Sequence, residues 1–352
     1  MHLDVDDLAA YARGCAILGT GGGGDVEIPT LGARAALEAH GPVDVLDLDD
    51  LADDVLVMPV AGWGAPTVAI EKFESGEEIV ALRVAVERWF GRPVGVLLIG
   101  EIGGGNGVTP VGWAARLGLP LVDADGMGRA FPEGDQVSMH VAGVSPSPAF
   151  QADEHGNVLT LEPVDGRWLE RLGRAGVMAF GGTVAAVDHV MDVATARTAT
   201  VRGTVTQALE IGRALEAGGL DEVVRACDAV RLAGGKVIDV ERRTTGGFAR
   251  GVVTIDGTGD DTGRRIQVHV QNENLLAVEG DRMLACVPDL IVLADEATGD
   301  AVPTERVRYG QRLVLLGLPC APIWRTAGGL RVAGPQRFGF PHAYLPVEEQ
   351  AR

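Results

Sequence analysis

Four acidic residues stand where catalytic chemistry would need them. Glu101, Asp123 and Asp125 lie on glycine-rich segments that follow short apolar runs, and Asp25 closes the run Gly19-Thr20-Gly21-Gly22-Gly23-Gly24. Carboxylates gathered at one crevice act as general acid and base, or hold a divalent ion. Glu101, Asp123 and Asp125 are therefore the candidate catalytic groups. Aspartates at strand ends also serve as loop and helix caps, so each carries that plainer reading beside the catalytic one.

The glycine run is the candidate binding loop. Residues Asp4 to Leu18 ahead of it read as a helix, with Asp4 as N-cap and Leu8, Tyr11, Ala12 and Cys15 on one face. Pro29 to Leu37 behind it reads as a second helix. Glycines let a backbone turn its N–H groups toward a ligand, and a nearby helix N-terminus adds partial positive charge. Gly21, Gly22, Gly23 and Gly24, with Asp25 at the rim, would then hold a carboxylate or a polar ring edge; a flexible helix–helix connector is the rival. No nucleotide or flavin is expected. A dinucleotide fingerprint needs a strand before its glycines, and a P-loop needs Lys-Ser/Thr after them, where this chain has Asp25-Val26.

Further binding candidates are Asn106, whose amide sits inside Gly103-Gly104-Gly105-Asn106-Gly107, and Arg129, a cation for a substrate carboxylate or an ion-pair partner of Asp125. Thr109 before Pro110 reads as a helix cap. Gln271-Asn272-Glu273-Asn274 interrupts a strand-like run, as a ligand-facing patch or as a bulge at an edge. The seven histidines form no metal-binding pattern, and no serine lies in a nucleophile-elbow context. Four cysteines without CxxC spacing read as small buried apolar residues.

Positioning these groups falls to an alternating first half. Apolar runs at 43–46, 55–60, 94–99 and 119–122 read as buried strands, and Glu78 to Phe90 reads as a helix with Ile79, Leu82, Val86 and Trp89 on one face. The fold class is an α/β N-terminal domain with a largely parallel sheet, plus a β-rich C-terminal domain with a helical lead-in segment. The division is 1–165 and 166–350. Three consecutive strands run into polar, glycine-rich loops, which is where open α/β sheets bind ligands. Helices are expected at Thr204 to Glu216 and Asp221 to Leu232, then strands at 236–240, 251–255, 265–270, 283–287 and 290–293.

The 352 residues suffice for two domains, and a net charge of −19 disfavours nucleic acid and anionic membranes as partners. No apolar run approaches the ~20 residues of a membrane span. The acidic start lacks the features of a signal peptide, so a cytoplasmic location is expected.

The segments Gly14 to Asp25, Gly100 to Asn106, Val122 to Glu133, Gln271 to Glu273, Pro288 to Ile291 and Arg308 to Phe340 resemble, in order, the S-methyl thiohydantoin desulfurase family. The resemblance implies a two-domain protein acting beside hydantoinases and oxoprolinases in heterocycle catabolism. It also implies hydrolysis of an S-methylated thiohydantoin to a hydantoin and methanethiol. For such a hydrolysis the residues themselves suggest Asp123 or Glu101 as the base and Asp125 as the acid or orienting group. Asn106 and the Gly21–Gly24 amides would hold ring atoms, and Arg129 a substrate carboxylate. A divalent metal, if used, would sit on the same carboxylates. The alternatives are an accessory subunit of a hydantoinase-type system and an amidohydrolase that opens hydantoin or lactam rings. Partners are a small heterocyclic substrate and either a second copy or a hydantoinase-type protein.

Overall fold

A computed structural model describes residues 1–69, 71–245 and 248–350. The expected apolar runs become the parallel heart of the first sheet: β2 (Val43–Leu46), β3 (Leu56–Gly64), β4 (Val94–Ile99) and β5 (Leu121–Asp125), after a short β1 (His2–Leu3). They lie side by side in the order β2-β5-β4-β3, every adjacent pair parallel. β6 (Ala149–Ala152), β7 (Val158–Leu161), β8 (Thr183–Val187), β9 (Met191–Asp192) and β10 (Val201–Arg202) add to it antiparallel. Residues 183–202, placed by the sequence in the second domain, thus complete the first sheet. The stretch Ala61 to Gly64 is likewise strand rather than loop, because β8 pairs with it through Gly64.

Helices cover this sheet: α1 (Leu8–Leu18), α2 (Glu27–His40), α3 (Glu77–Phe90), α4 (Gly105–Leu117) and α5 (Gly166–Ala179). On α3, Ile79, Leu82 and Val86 are buried as expected, while Trp89 stays half exposed with its ring edge-on to Phe150. α1 begins at Leu8 rather than Asp4, whose carboxylate instead accepts the Asp6 amide in a turn. The long helix α6 (Thr204–Ala226), kinked at Gly218 and Gly219, packs on α1. The two helices meet backbone to backbone. A Cβ at Gly14 would lie 1.7 Å from the Ala208 carbonyl oxygen, and one at Gly212 the same distance from that of Ala10. α1 is thereby pinned, and with it the start of the glycine loop.

The second domain is a seven-stranded antiparallel sheet. Its strands are β11 (Val230–Thr245), β12 (Phe248–Gly257), β13 (Arg265–Gln271), β14 (Glu273–Glu279), β15 (Arg282–Cys286), β16 (Leu290–Asp295) and β17 (Arg312–Leu318). Their order is β15-β14-β13-β12-β11-β17-β16. Where a helix was expected over Asp221 to Leu232, α6 ends at Ala226 and β11 begins at Val230. One face of the sheet closes on its own core of Val237, Ile255, Ile266, Val268 and Leu313. Another set, including Leu275, Val292 and Leu316, joins the core of the first domain. The domains therefore share an apolar boundary, and the polar groups caught in it stand out.

Candidate active site

Glu101 follows β4, is 6 % exposed, and is held from two sides. The Asn106 amide donates to its Oε2 at 2.5 Å, and the Phe131 backbone N–H donates to its Oε1 at 3.0 Å. Asn106 is itself fixed, since its Oδ1 accepts the Gly62 N–H at 3.0 Å. It stands in the first turn of α4, which starts at Gly105 and carries Pro110 inside, so Thr109 is not its cap. Burial pushes the Glu101 carboxyl up to about 7, against the pull of those two donors.

Across the domain boundary, at the start of β14, lies Glu273, 2 % exposed. Its Oε2 is buried and has no hydrogen-bond partner. Burial first, then the neighbouring Glu101 charge, raises its proton affinity well above the ordinary carboxylate range, while Arg129 and the Gly23 amide oppose the rise. A buried carboxyl whose ionisation a second buried carboxyl opposes tends to keep its proton, which sets an acid beside a base.

The glycine loop packs on Glu273. A Cβ at Gly22 would lie 1.9 Å from Glu273 Oε1, so only glycine fits there. Part of its backbone is engaged within the protein rather than turned to open space. Gly22 N–H bonds back to the Gly19 carbonyl, and the Gly24 and Gly23 carbonyls accept the Gly105 and Asn106 N–H groups at the start of α4. The loop ties α1 to α4 and to the second domain, where Thr304 N–H donates to Gly21 O and Asn274 N–H to Thr20 O. A Cβ at Gly24 would meet nothing within 4 Å. That residue and half-buried Asn106 mark the open side of the cluster.

The other sequence candidates are placed apart from this pair or engaged elsewhere. Asp123 faces the N-terminus of α6: its Oδ1 accepts the Val205 and Thr206 N–H groups at 3.0 Å, and its Oδ2 the Thr206 hydroxyl at 2.6 Å. It is a helix cap, the plainer of its two readings. Asp125, fully buried, accepts the N–H groups of Ile102, Met127 and Gly128 and so knots the loops after β4 and β5 together. Burial raises its carboxyl to about 7, and Glu101 feels its charge. Asp25 accepts the Glu27 N–H and pairs with Arg306 at 2.7 Å.

Arg129 is fully buried and its guanidinium is spent on the protein. It donates to the carbonyls of Ala130, Pro288 and Asp289 and to the Thr20 hydroxyl, and lies 4.4 Å over the Phe131 ring. Burial lowers its pKa to about 10. A substrate carboxylate would have to displace these partners, so Arg129 acts as a clamp between domains and as the counter-charge to Glu273.

Gln271 is buried at the end of β13, and Asn272 is the left-handed residue (φ 57°) that turns the chain into β14. The run Gln271-Asn272-Glu273 is thus a tight corner between paired strands, and it delivers Glu273 inward. Thr304 and Glu305 escaped the sequence reading, whereas Asn274 belongs to the polar run it singles out. Asn274 Nδ2 donates to the Ile291 carbonyl, and Glu305 carries a buried, unpartnered Oε1 and feels the charge of Asp25. Only Asn274 carried a signal, as the fourth polar residue of its run.

Among the described residues no group of three or more His, Cys, Asp or Glu side chains is arranged to hold a metal ion. The carboxylates proposed as shared ligands are dispersed, with Asp123 on α6 and Asp125 saturated by amides. His189 bonds Asp188 at 2.6 Å and His269 packs edge-on to Phe340. Cys15, Cys286 and Cys320 are buried and Cys227 half-buried, all four as free thiols. Two cavities lie away from the pair. One of about 450 Å³ is bounded by Asp295, Glu296 and Tyr309; another of about 230 Å³ lies between the domains against Leu18, Gly128, Cys227 and Cys320. Among the described residues no helix is long and apolar enough to cross a membrane.

Fold and site together define a two-domain protein whose glycine loop and buried carboxylate pair meet at the domain boundary. The chain belongs to the S-Me-THD-like family: the family's N-terminal domain matches residues 6–163 and its C-terminal domain residues 164–347. A crystal structure of a protein from Chromobacterium violaceum is similar over 99% of this chain and 100% of that one, with 27% identity and a TM-score of 0.81. No curated protein matches the chain.

Proposed function

We propose that this protein is a hydrolase that removes methanethiol from an S-methylated thiohydantoin-type ring and leaves a hydantoin. The family supplies the substrate class. The observation that carries the chemistry is the two buried carboxyl groups Glu101 and Glu273, one of whose charges opposes ionisation of the other, with one Glu273 oxygen unpartnered. A carboxyl near pH 7 suits a general base working at neutral pH, and a neighbour of much higher proton affinity suits the acid.

The sequence of events balances on these two groups. Glu101 takes a proton from water as its oxygen bonds to the carbon that bears the S-methyl group. The carbon–nitrogen π pair moves to the ring nitrogen, which takes the proton held by Glu273. The new hydroxyl then returns a proton to Glu273 as the carbonyl forms and the C–S bond breaks, and the leaving thiolate takes the proton from Glu101. Both carboxyl groups end as they began. Asn106 holds Glu101 in place throughout, and Arg129 limits the accumulated negative charge. No step is routed through a metal.

The test is free-thiol release by the purified chain from an S-methyl thiohydantoin, with the ring product identified by mass. One thiol per hydantoin formed supports the reading. Binding without turnover, as an accessory subunit would give, or ring opening without thiol, as an amidohydrolase would give, overturns it.

A further inference from the structure

Helix α5 is apolar on two faces, and among the described residues the fold covers only one of them. Its inner face lies close against the sheet: a Cβ at Gly173 would sit 2.5 Å from the Trp63 ring, and one at Gly176 2.0 Å from Gln151 Oε1. Leu169 and Val177 are buried on that side. On the opposite side Trp168, Leu172, Ala175 and Ala179 recur at steps of four, three and four residues, the period that makes one continuous stripe along a helix. All four are exposed, Trp168 by 43 %, and so is Met178 beside them, by 75 %. Val164, just ahead of the Asp165 N-cap, extends the stripe. The exposed parts of Val164, Trp168, Leu172 and Met178 come to roughly 450 Å², and patches of about 300–600 Å² on a monomer are often functional.

Size and charge along the stripe both match an antiparallel copy of the same helix. The large side chains, Trp168 and Leu172, occupy its first half and the two alanines its second. A second α5 turned end for end sets Trp168 on Ala179 and Leu172 on Ala175, and a twofold axis makes each contact twice. The charges follow the same rule. α5 carries Arg167 in its first turn and no basic residue in its last, the reverse of what the helix dipole favours. Arg171 lies on the same flank, 4.8 Å over the Trp168 ring. End-for-end pairing brings Arg167 of each copy to the C-terminal end of the other α5. There Lys72, which donates to the Phe180 carbonyl, is already paired with Glu154 at 2.7 Å. Two such surfaces, with the alanines and arginine stems included, bury roughly 1,000 Å² in all, the threshold for a specific protein–protein contact. We propose that the chain forms a twofold dimer through α5, with Trp168 and Leu172 of each copy packed on Ala179 and Ala175 of the other. A surface made for a different protein needs no such match to itself, so a second copy is favoured over a hydantoinase-type partner. The dimer is independent of the reaction proposed above.

The experiment is sedimentation equilibrium of the full chain across the micromolar range, for the wild type, Ala175→Arg and Leu172→Glu. The wild type is expected at twice the 36.7 kDa chain mass. Ala175→Arg puts a good helix former at an exposed position and leaves the monomer intact, yet fills the space that Leu172 of the other copy needs. It should weaken association at least 100-fold, and Leu172→Glu should do the same. Circular dichroism shows that each variant is folded, and where one is not, the other decides. A wild type that sediments at the single-chain mass overturns the inference, whatever the variants do. So does a dimer that the folded variants leave intact, since it then forms through another surface. A wild-type monomer that associates only when a hydantoinase-type protein is added overturns it as well and gives the stripe to that partner.

Discussion

Replacing Glu101 by Gln should abolish turnover and at the same time stabilise the protein in alkali. The rise of the Glu101 carboxyl from 4.5 to about 7 means that burial disfavours its ionised form by about 3 kcal/mol, at roughly 1.4 kcal/mol per pH unit. A carboxyl with a folded-state pKa above its unfolded value binds its proton more tightly in the folded chain. Its contribution to stability is therefore full below about pH 4.5 and is lost as pH climbs through about 7. Gln has no proton to lose. Its single amide oxygen can accept only one of the two donors that hold Glu101, the Phe131 N–H or the Asn106 NH2, which costs about 1 kcal/mol at every pH. Asp125, also raised to about 7, is present in both proteins and cancels in the difference. The variant should start about 1 kcal/mol below the wild type near pH 5 and gain about 3 kcal/mol on it by pH 8, a relative shift of roughly 6 °C or more in Tm at about 2–4 °C per kcal/mol. Thiol release should fall about 10²- to 10⁴-fold, the usual worth of a general base. Paired melting curves at pH 5 and pH 8 with a thiol assay check both halves. A Tm difference that does not change with pH, or turnover within threefold of wild type, would refute the reasoning.

Other substitutions separate the pair from its scaffold. Wild-type activity should itself drop about tenfold per pH unit below about 7 as Glu101 takes up its proton; a flat profile from pH 5 to 8 would exclude it as the base. Gly22→Ala sets a Cβ 1.9 Å from Glu273 Oε1 and should cut kcat at least tenfold, equivalent to about 1.4 kcal/mol on the barrier. Gly24→Ala, with no neighbour within 4 Å, should cost only the roughly 1 kcal/mol of backbone strain at its φ of 83° and keep its activity; equal activities in the two variants would remove Gly22 from the argument. Asp123→Asn, whose side-chain oxygen still accepts at the N-terminus of α6, should change stability by well under about 1 kcal/mol and leave kcat unchanged. Loss of turnover in a folded Asp123→Asn protein would restore it to the catalytic set.

Much of the first domain was legible because a central strand such as β4 is buried on both faces and reads as a continuous apolar run, while β2 alternates buried Val43 and Val45 with exposed Asp44: 94–99 and 43–46 coincide with them. The fold class followed from their alternation with amphipathic helices, and the family from the order of the glycine-rich segments. Glu101 and Asn106 could be singled out because they sit together on one strand-to-helix loop, five residues apart. Direction was not legible. Asp123 and Asp125 share a strand end, yet one turns to the N-terminus of α6, distant in the chain, and the other accepts three backbone N–H groups, those of Met127 and Gly128 close by and that of Ile102 after β4. Glu273 was visible only as one member of a polar run, because its partner Glu101 lies 172 positions away. The role proposed for it rests on that meeting and on its burial against Gly22. Local patterns fix which elements form, since periodicity and turn chemistry act over a few residues. Which carboxyl groups lose their solvent and feel each other's charge is decided by how the two domains close on one another.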